Sequence, residues 1–307
     1  MILEFFLNLA FRPVFYIYSR WIRRKFQPRK YYFCICAIFK NEAPYLKEWI
    51  EYHKMLGVDH IWLYNNNSTD NFADVLEEYV KEGYVSLKNW EQQYAQAAAY
   101  NDCYLQHGNE TMWLCFLDLD EFICPKYETD VKAFLKRYEG YPAVCFYWQM
   151  FGTGGQIKPD SSKLVIEQYT NAWDSLYGVS KYALCTQPMF RPTKVEIHYI
   201  FCRVRLFGIT LKIPMITEWK HFVFFSQICK APRSNTIQLN HYWSKSFSEY
   251  SSKMKRVSAA REENTNIRRT PAFFYFHENH NITNNMVIFR FLMRLKIRMY
   301  GLDERFK

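Results

Sequence analysis

Asp118 and Asp120 stand one residue apart in FLDLDEF (116–122), at the end of a hydrophobic run. A strand ending in Asp-x-Asp can hold a hard divalent cation such as Mn2+ or Mg2+. Such ions favour carboxylate oxygens and share their remaining positions with phosphate. The cation would then grip a diphosphate. Asp-based phosphatases of the haloacid-dehalogenase type use the same spacing, but near the first strand and before a small hydroxyl residue. Here the pair follows a late strand and precedes Glu121-Phe122. Two further polar clusters also follow apolar runs, Lys40-Asn41-Glu42 and the loop from Asn65 to Asp70.

The elements that must position these residues are legible from periodicity. YYFCICAIF (31–39), HIWLY (60–64), YVSLKNW (84–90) and TMWLCFLD (111–118) read as strands. Helical patterns over 40–57, 72–83 and 92–107 separate them, and Gly57 and Gly83 close the first two. In the first helix Leu46, Trp49, Ile50, His53 and Leu56 share one face. A β-α-β-α-β-α-β run predicts an α/β fold with a parallel, Rossmann-like sheet and helices on both faces. Ligands bind at the carboxyl ends of such strands, where all three polar clusters fall. Further on, a helix is expected over 129–140, a strand over 142–152, loops over 153–180, short strands over 181–243 and a helix over 247–262. With no internal repeat or long linker, one catalytic domain is expected over 31–285.

The chain has 307 residues and is 49% hydrophobic, enough to bury a core and too apolar to be disordered. The net charge of +10 resides at the ends, because residues 31–285 carry equal numbers of acids and bases. A neutral body argues against a nucleic-acid groove, and two basic ends suit an anionic membrane surface. Residues 1–30 are aromatic as well as basic, no run is long enough to span a bilayer, and Glu4 and Arg12 oppose a signal peptide. Over 286–307, Ile288, Leu292, Leu295 and Met299 fall on one helical face beside Arg290, Arg294 and Arg298. That pattern predicts an amphipathic helix in a membrane interface, and the expected location is the cytoplasmic face of a membrane. The nine cysteines are scattered and fit reduced, buried thiols.

In order, CAIFKNEAPYLKEWIEYHKMLGVDHIWLYNNNSTD (36–70), QAAAYNDC (96–103), WLCFLDLDEF (113–122), WQMFGTGG (148–155), Lys181, Arg191-Pro192, His198 and HYWSKSFSEY (241–250) form a series. On these residues the chain resembles GT-A glycosyltransferases, and more closely those of glycosyltransferase family 92, over about 33–262. The resemblance implies a nucleotide-sugar donor, specifically a UDP-hexose such as UDP-galactose, a divalent metal, and transfer with inversion. It implies that Lys40, Asn41, Glu42, Asn65, Asn67 and Asp70 surround the nucleoside and that Asn101 and Asp102 lie near the ribose and diphosphate. Asp118 would touch ribose or metal, Asp120 and His241 would ligate the metal, and Lys245 would face the leaving diphosphate. Asp70 has a second reading as a helix cap, and Glu42 as a first-turn acid.

Inversion calls for one general base. Glu167 and then Asp174 are favoured, with Glu196 and Glu218 as further candidates. The expected acceptor is a cell-surface glycan or lipid-linked glycan. A non-catalytic, membrane-bound protein on a degenerate version of the fold is the second hypothesis, and an Asp-based phosphatase the third.

Overall fold

The computed structural model describes residues 2–92, 96–206, 208–224, 234–255 and 270–302. The expected helix beyond residue 255 and the tail from 303 lie outside the described residues. The strands in chain order are β1 Tyr31–Phe39, β2 His60–Asn65, β3 Val85–Asn89, β4 Thr111–Phe116, β5 Glu121–Pro125, β6 Ala143–Met150, β7 Asn171–Ala172, β8 Tyr177–Cys185, β9 Arg191–Pro192, β10 Phe201–Leu206, β11 Ile209–Pro214, β12 Ile237–His241 and β13 Thr283–Asn284. The helices are α1 Ile2–Ile22, α2 Ala43–Met55, α3 Phe72–Lys81, α4 Gln96–His107, α5 Val131–Leu135, α6 Val165–Gln168, α7 Phe247–Lys255, α8 Pro271–Asn279 and α9 Leu292–Tyr300.

One mixed sheet dominates, in the order β3-β2-β1-β4-β8-β6-β12-β5. β3, β2, β1 and β4 are mutually parallel, as the alternating pattern predicts. Strand β1 is apolar on both faces because it lies inside this sheet, and seven of its nine residues are buried. β8 runs antiparallel to β4 and to β6, so β6 again points along β4. β12 is parallel to β6, and β5 closes the sheet antiparallel to β12. The carboxyl ends of β1 to β4, β6 and β12 therefore share one edge with the amino ends of β5 and β8. This is the topological reason why distant segments meet.

Helix α2 buries the expected face, with Leu46, Trp49, Ile50 and His53 fully enclosed. Gly57 ends it at φ +87°, where a Cβ atom would lie 2.7 Å from Asp130 Oδ1. The cysteines of the described residues are buried and unbridged, as expected. Several boundaries shift. The fourth strand stops at Phe116, so the Asp-x-Asp occupies the turn into β5 rather than the strand end, and β5 itself is unheralded by periodicity. The expected loop 153–180 contains α6, β7 and the start of β8.

The C-terminal segment differs in a functional way from the expected membrane-facing helix. Leu295 of α9, with Ile288 and Phe291 just before it, belongs to the core. Arg298 pairs with Glu51 of α2 at 2.9 Å, and Lys296 with Glu167 of α6 at 2.5 Å. Arg290 donates to the carbonyls of Pro125 and Tyr127. The apolar stripe thus docks on the body, because acids hidden in other elements complement its basic flank. The N-terminal segment also joins the body: Phe15, Tyr18 and Ile22 of α1 are core residues.

Candidate active site

At the shared edge, the turn Leu117–Asp120 brings both acids of the Asp-x-Asp to the sheet rim. They face different partners. Asp118 is half-buried, with Lys181 Nζ 3.0 Å from Oδ2 and Gln96 Nε2 and Tyr100 Oη donating to Oδ1 at 2.6 and 3.1 Å. Asp120 receives Lys253 Nζ at 2.6 Å on Oδ2 and lies 3.5 Å from His241 Nε2 through Oδ1. Antiparallel pairing sets the second contact, since His241 is opposite Glu121 in the β12–β5 register. Backbone bonds lock the geometry, from Tyr242 N to Asp120 O at 2.8 Å and from Phe151 N to His241 O at 3.0 Å.

The electrostatics follow from burial and these partners. Burial works to raise the Asp120 carboxyl, yet Lys253 and then His241 outweigh it and hold it well below the ordinary range. Asp118 is also lowered, burial again being overcome by Lys181. Burial drives His241 down despite Asp120, which favours the neutral ring. Its Nδ1 has no hydrogen-bond partner among the described residues. Beneath the two aspartates, fully buried Glu121 accepts from Asp118 N at 2.9 Å and Trp148 Nε1 at 2.7 Å, and burial raises its carboxyl. Lys181 Nζ lies 3.8 Å from it, and burial of this lysine is offset by Asp118 and Glu121, which keep its ammonium charged.

No group of three or more His, Cys, Asp or Glu side chains arranged to hold a metal occurs among the described residues. The pair Asp120–His241 is nevertheless a fitting half-site. Its donor atoms are close enough to share one cation, and an ion of the Mg2+ class needs only one or two protein ligands when phosphate oxygens supply the others. Asp118, expected as a second ligand, directs its carboxylate oxygens to Lys181, Gln96 and Tyr100 instead.

Lys245 and Glu42 meet at the same edge, 3.4 Å apart, and the Lys245 ammonium sits 3.3 Å above the Tyr45 ring. Lys245 adopts φ +49°, Asn41 +54° and Asn67 +56°, so expected site residues account for three of the four non-glycine left-handed conformations described. An aromatic wall adjoins His241. Trp148 lies 4.3 Å from its ring and stacks on Tyr177, which Trp173 meets edge-on at 5.2 Å.

Other expected residues brace the scaffold. Asn65 accepts from Ser68 N and donates to Asn89, and Asn67 donates to the Glu91 carbonyl. Asn41 Oδ1 accepts from Thr69 N at 2.7 Å, and the Asn41 backbone N–H donates to Ser68 Oγ. Asp70 does cap a helix, but it is α2, through Ala43 N at 2.8 Å, and not the helix that follows it. Asn101 exchanges hydrogen bonds with the Val195 backbone, and Asp102 is held by Tyr64 and Lys88. Lys40 is exposed beside these loops. The two loops after β1 and β2 are thus knitted to each other, shaping the rim mainly with backbone.

Among the base candidates, Glu167 is tied to Lys296, Glu196 is exposed and paired with Lys194, and Glu218 is buried under Thr236. Asp174 is exposed next to Trp173 of the aromatic wall and contacts only Ser175 among the hydrogen bonds described. Sequence reasoning missed Gln96, Tyr100, Glu121 and Lys253. Gln96, Tyr100 and Glu121 lie inside the quoted series, and Lys253 sits one helical turn beyond Glu249 of the block 241–250.

Residues 29–270 match the family Glycosyltransferase family 92. A glycosyltransferase family 92 protein of Ricinus communis is 40% identical over 94 residues, covering 30% of this chain and 16% of that protein. Galactan beta-1,4-galactosyltransferase GALS2 of Arabidopsis thaliana is 25% identical over 138 residues, 41% of this chain and 26% of that protein. The matched stretch thus spans only a minor part of these relatives. Among solved structures, S. aureus TarS 1–349 in complex with UDP aligns with TM-score 0.31 and 17% identity over 42% of this chain and 38% of that one.

Proposed function

The chain belongs to glycosyltransferase family 92, and from that premise we propose that it transfers a hexose from a UDP-sugar to a glycan or lipid-linked glycan acceptor, with inversion. The observation that carries this reading is the Asp120–His241 pair, 3.5 Å apart at the carboxyl edge of the sheet, with Lys253 2.6 Å from Asp120 and Lys245 adding its positive field. Galactose is the hexose proposed, in keeping with the name of the Arabidopsis relative.

A Mn2+ or Mg2+ ion held by Asp120 and His241 would counter the charge that develops on the departing diphosphate. The chain's own residues supply the rest. Lys253 and Lys245 both depress the Asp120 carboxyl, so their positive field reaches the place where anionic oxygens would lie. Asp118, fixed by Gln96, Tyr100 and Lys181, presents a rigid acceptor for ribose hydroxyls. Trp173, itself enclosed, backs the half-buried Tyr177, against whose ring a sugar can lie. Asp174, exposed beside Trp173, is the preferred base for taking the proton from the acceptor hydroxyl. The ion pair with Lys296 makes Glu167 the weaker candidate.

The test is calorimetric titration of UDP with and without Mn2+, on the unaltered chain and on Asp120→Asn, followed by transfer from UDP-galactose. Metal-enhanced UDP binding that Asp120→Asn abolishes supports the reading. Equal binding with and without the metal refutes the metal-assisted part, and absence of UDP binding under both conditions refutes the donor.

A further inference from the structure

Helix α1 buries Phe15, Tyr18 and Ile22 together with the polar Asn8 and Ser19, and leaves several large apolar side chains outward. Asn8 is buried and exchanges two hydrogen bonds with the Phe222 backbone, at 2.9 and 2.6 Å. Glu4 accepts from Phe224 N at 3.0 Å, and Ser19 is enclosed. These bonds fix the rotation of the helix about its axis. The opposite face therefore points away from the body, and on it Phe6, Leu9 and Ile17 are 58%, 63% and 68% exposed. Leu3, Phe5 and Trp21 extend the same face. A helix docked only by its core contacts would carry polar residues there. An apolar patch of this kind on a folded surface marks an interaction site.

Charge indicates the occupant. The last turn of α1 and the residues after it expose Arg20, Arg24 and Lys25 at the end of the apolar face. Lys25 lies 3.8 Å above the Trp21 ring, so an aromatic side chain and a cation share the boundary position favoured at lipid–water interfaces. No described helix is long and apolar enough to cross a membrane, which leaves a helix lying along the surface. We propose that the outward face of α1 is a docking surface for an anionic lipid bilayer, with Phe6, Leu9 and Ile17 entering the acyl boundary and Arg20, Arg24 and Lys25 meeting headgroup phosphates. This extends the proposed function without depending on it, since no catalytic residue takes part. It also assigns to α1 alone the role that the sequence divides between both ends, α9 being docked on α2.

The full chain would be sedimented with phosphatidylcholine vesicles, with and without about one-third phosphatidylserine, at low and high salt. Expected is pelleting with the anionic vesicles that weakens as salt rises. The Phe6→Glu/Ile17→Glu variant should bind more than tenfold more weakly with an unchanged melting temperature, because both side chains are already in water. Arg24→Glu/Lys25→Glu should lose the preference for anionic vesicles, and Asp120→Asn should bind normally. Equal pelleting of the Phe6/Ile17 variant and the unaltered chain overturns the proposal. So does failure to bind vesicles, as does a dimer in light scattering that the same variant splits, since the face would then pair with a second copy.

Discussion

Glu48 gives the sharpest quantitative test. This α2 residue is 5% exposed and accepts from the amides of Val165 and Ile166 at 2.8 and 3.1 Å, so it holds the start of α6. Burial raises its carboxyl from 4.5 to about 7, against the two backbone amides and the field of Lys245. A folded state with a raised acid binds a proton that the unfolded chain has already released. Stability from this group is therefore complete below the unfolded value of 4.5 and is lost as pH rises to about 7. The difference corresponds to about 3 kcal/mol. Glu48→Gln cannot ionise, and its single carbonyl can serve one of the two amides well, a loss of about 1–2 kcal/mol that does not vary with pH. Urea unfolding of both proteins at pH 4.5, 6, 7 and 8 separates the effects. The stability of the unaltered chain minus that of Glu48→Gln should fall by about 3 kcal/mol across the series, with other titrating groups cancelling in the subtraction. A difference that stays constant within about 0.5 kcal/mol would refute a buried, titrating Glu48.

The remaining expectations concern the rim of the sheet. Lys181→Met removes the cation 3.0 Å from the ionised Asp118 and should destabilise the chain by about 1–3 kcal/mol in urea unfolding; adding Asp118→Asn should recover part of the loss. Lys253→Met removes the cation 2.6 Å from Asp120, so Mn2+ should bind several-fold more tightly by calorimetry while metal-free UDP binds more weakly. Gly152→Ala places a Cβ atom 1.9 Å from Asn281 Nδ2 and 2.8 Å from Glu278 Oε1, both on the α8 side of the loop. A loss of about 1–3 kcal/mol is expected in thermal or urea unfolding, relieved by Asn281→Ala if the side chain alone is in the way.

What the sequence determined by itself is local. The unbroken apolar run of β1 requires a strand covered on both sides, and the period of α2 selects Leu46, Trp49, Ile50 and His53 for burial. The alternation of four strands with three helices is enough to make the first half parallel and to gather its polar loops at one edge. The ordered motifs from 36 to 250 pointed to the family across that core. Tertiary structure decided how the side chains are used. Asn65, Asn67 and Asp70 carry the right chemistry for a nucleoside, but the loops after β1 and β2 come close enough to bond with each other, and Asp70 caps α2 across 27 residues. The stripe on α9 reads as a membrane face until Glu51 and Glu167 arrive from α2 and α6 to pair with its cations. Asp120 meets His241 only because β12 inserts between β6 and β5 in a register that sets His241 opposite Glu121. Hydrophobic period acts within a few turns of chain and is written in each segment. Register, ion pairing and the outward turn of α1 depend on surfaces far apart in sequence, and these come into being only once the sheet has closed.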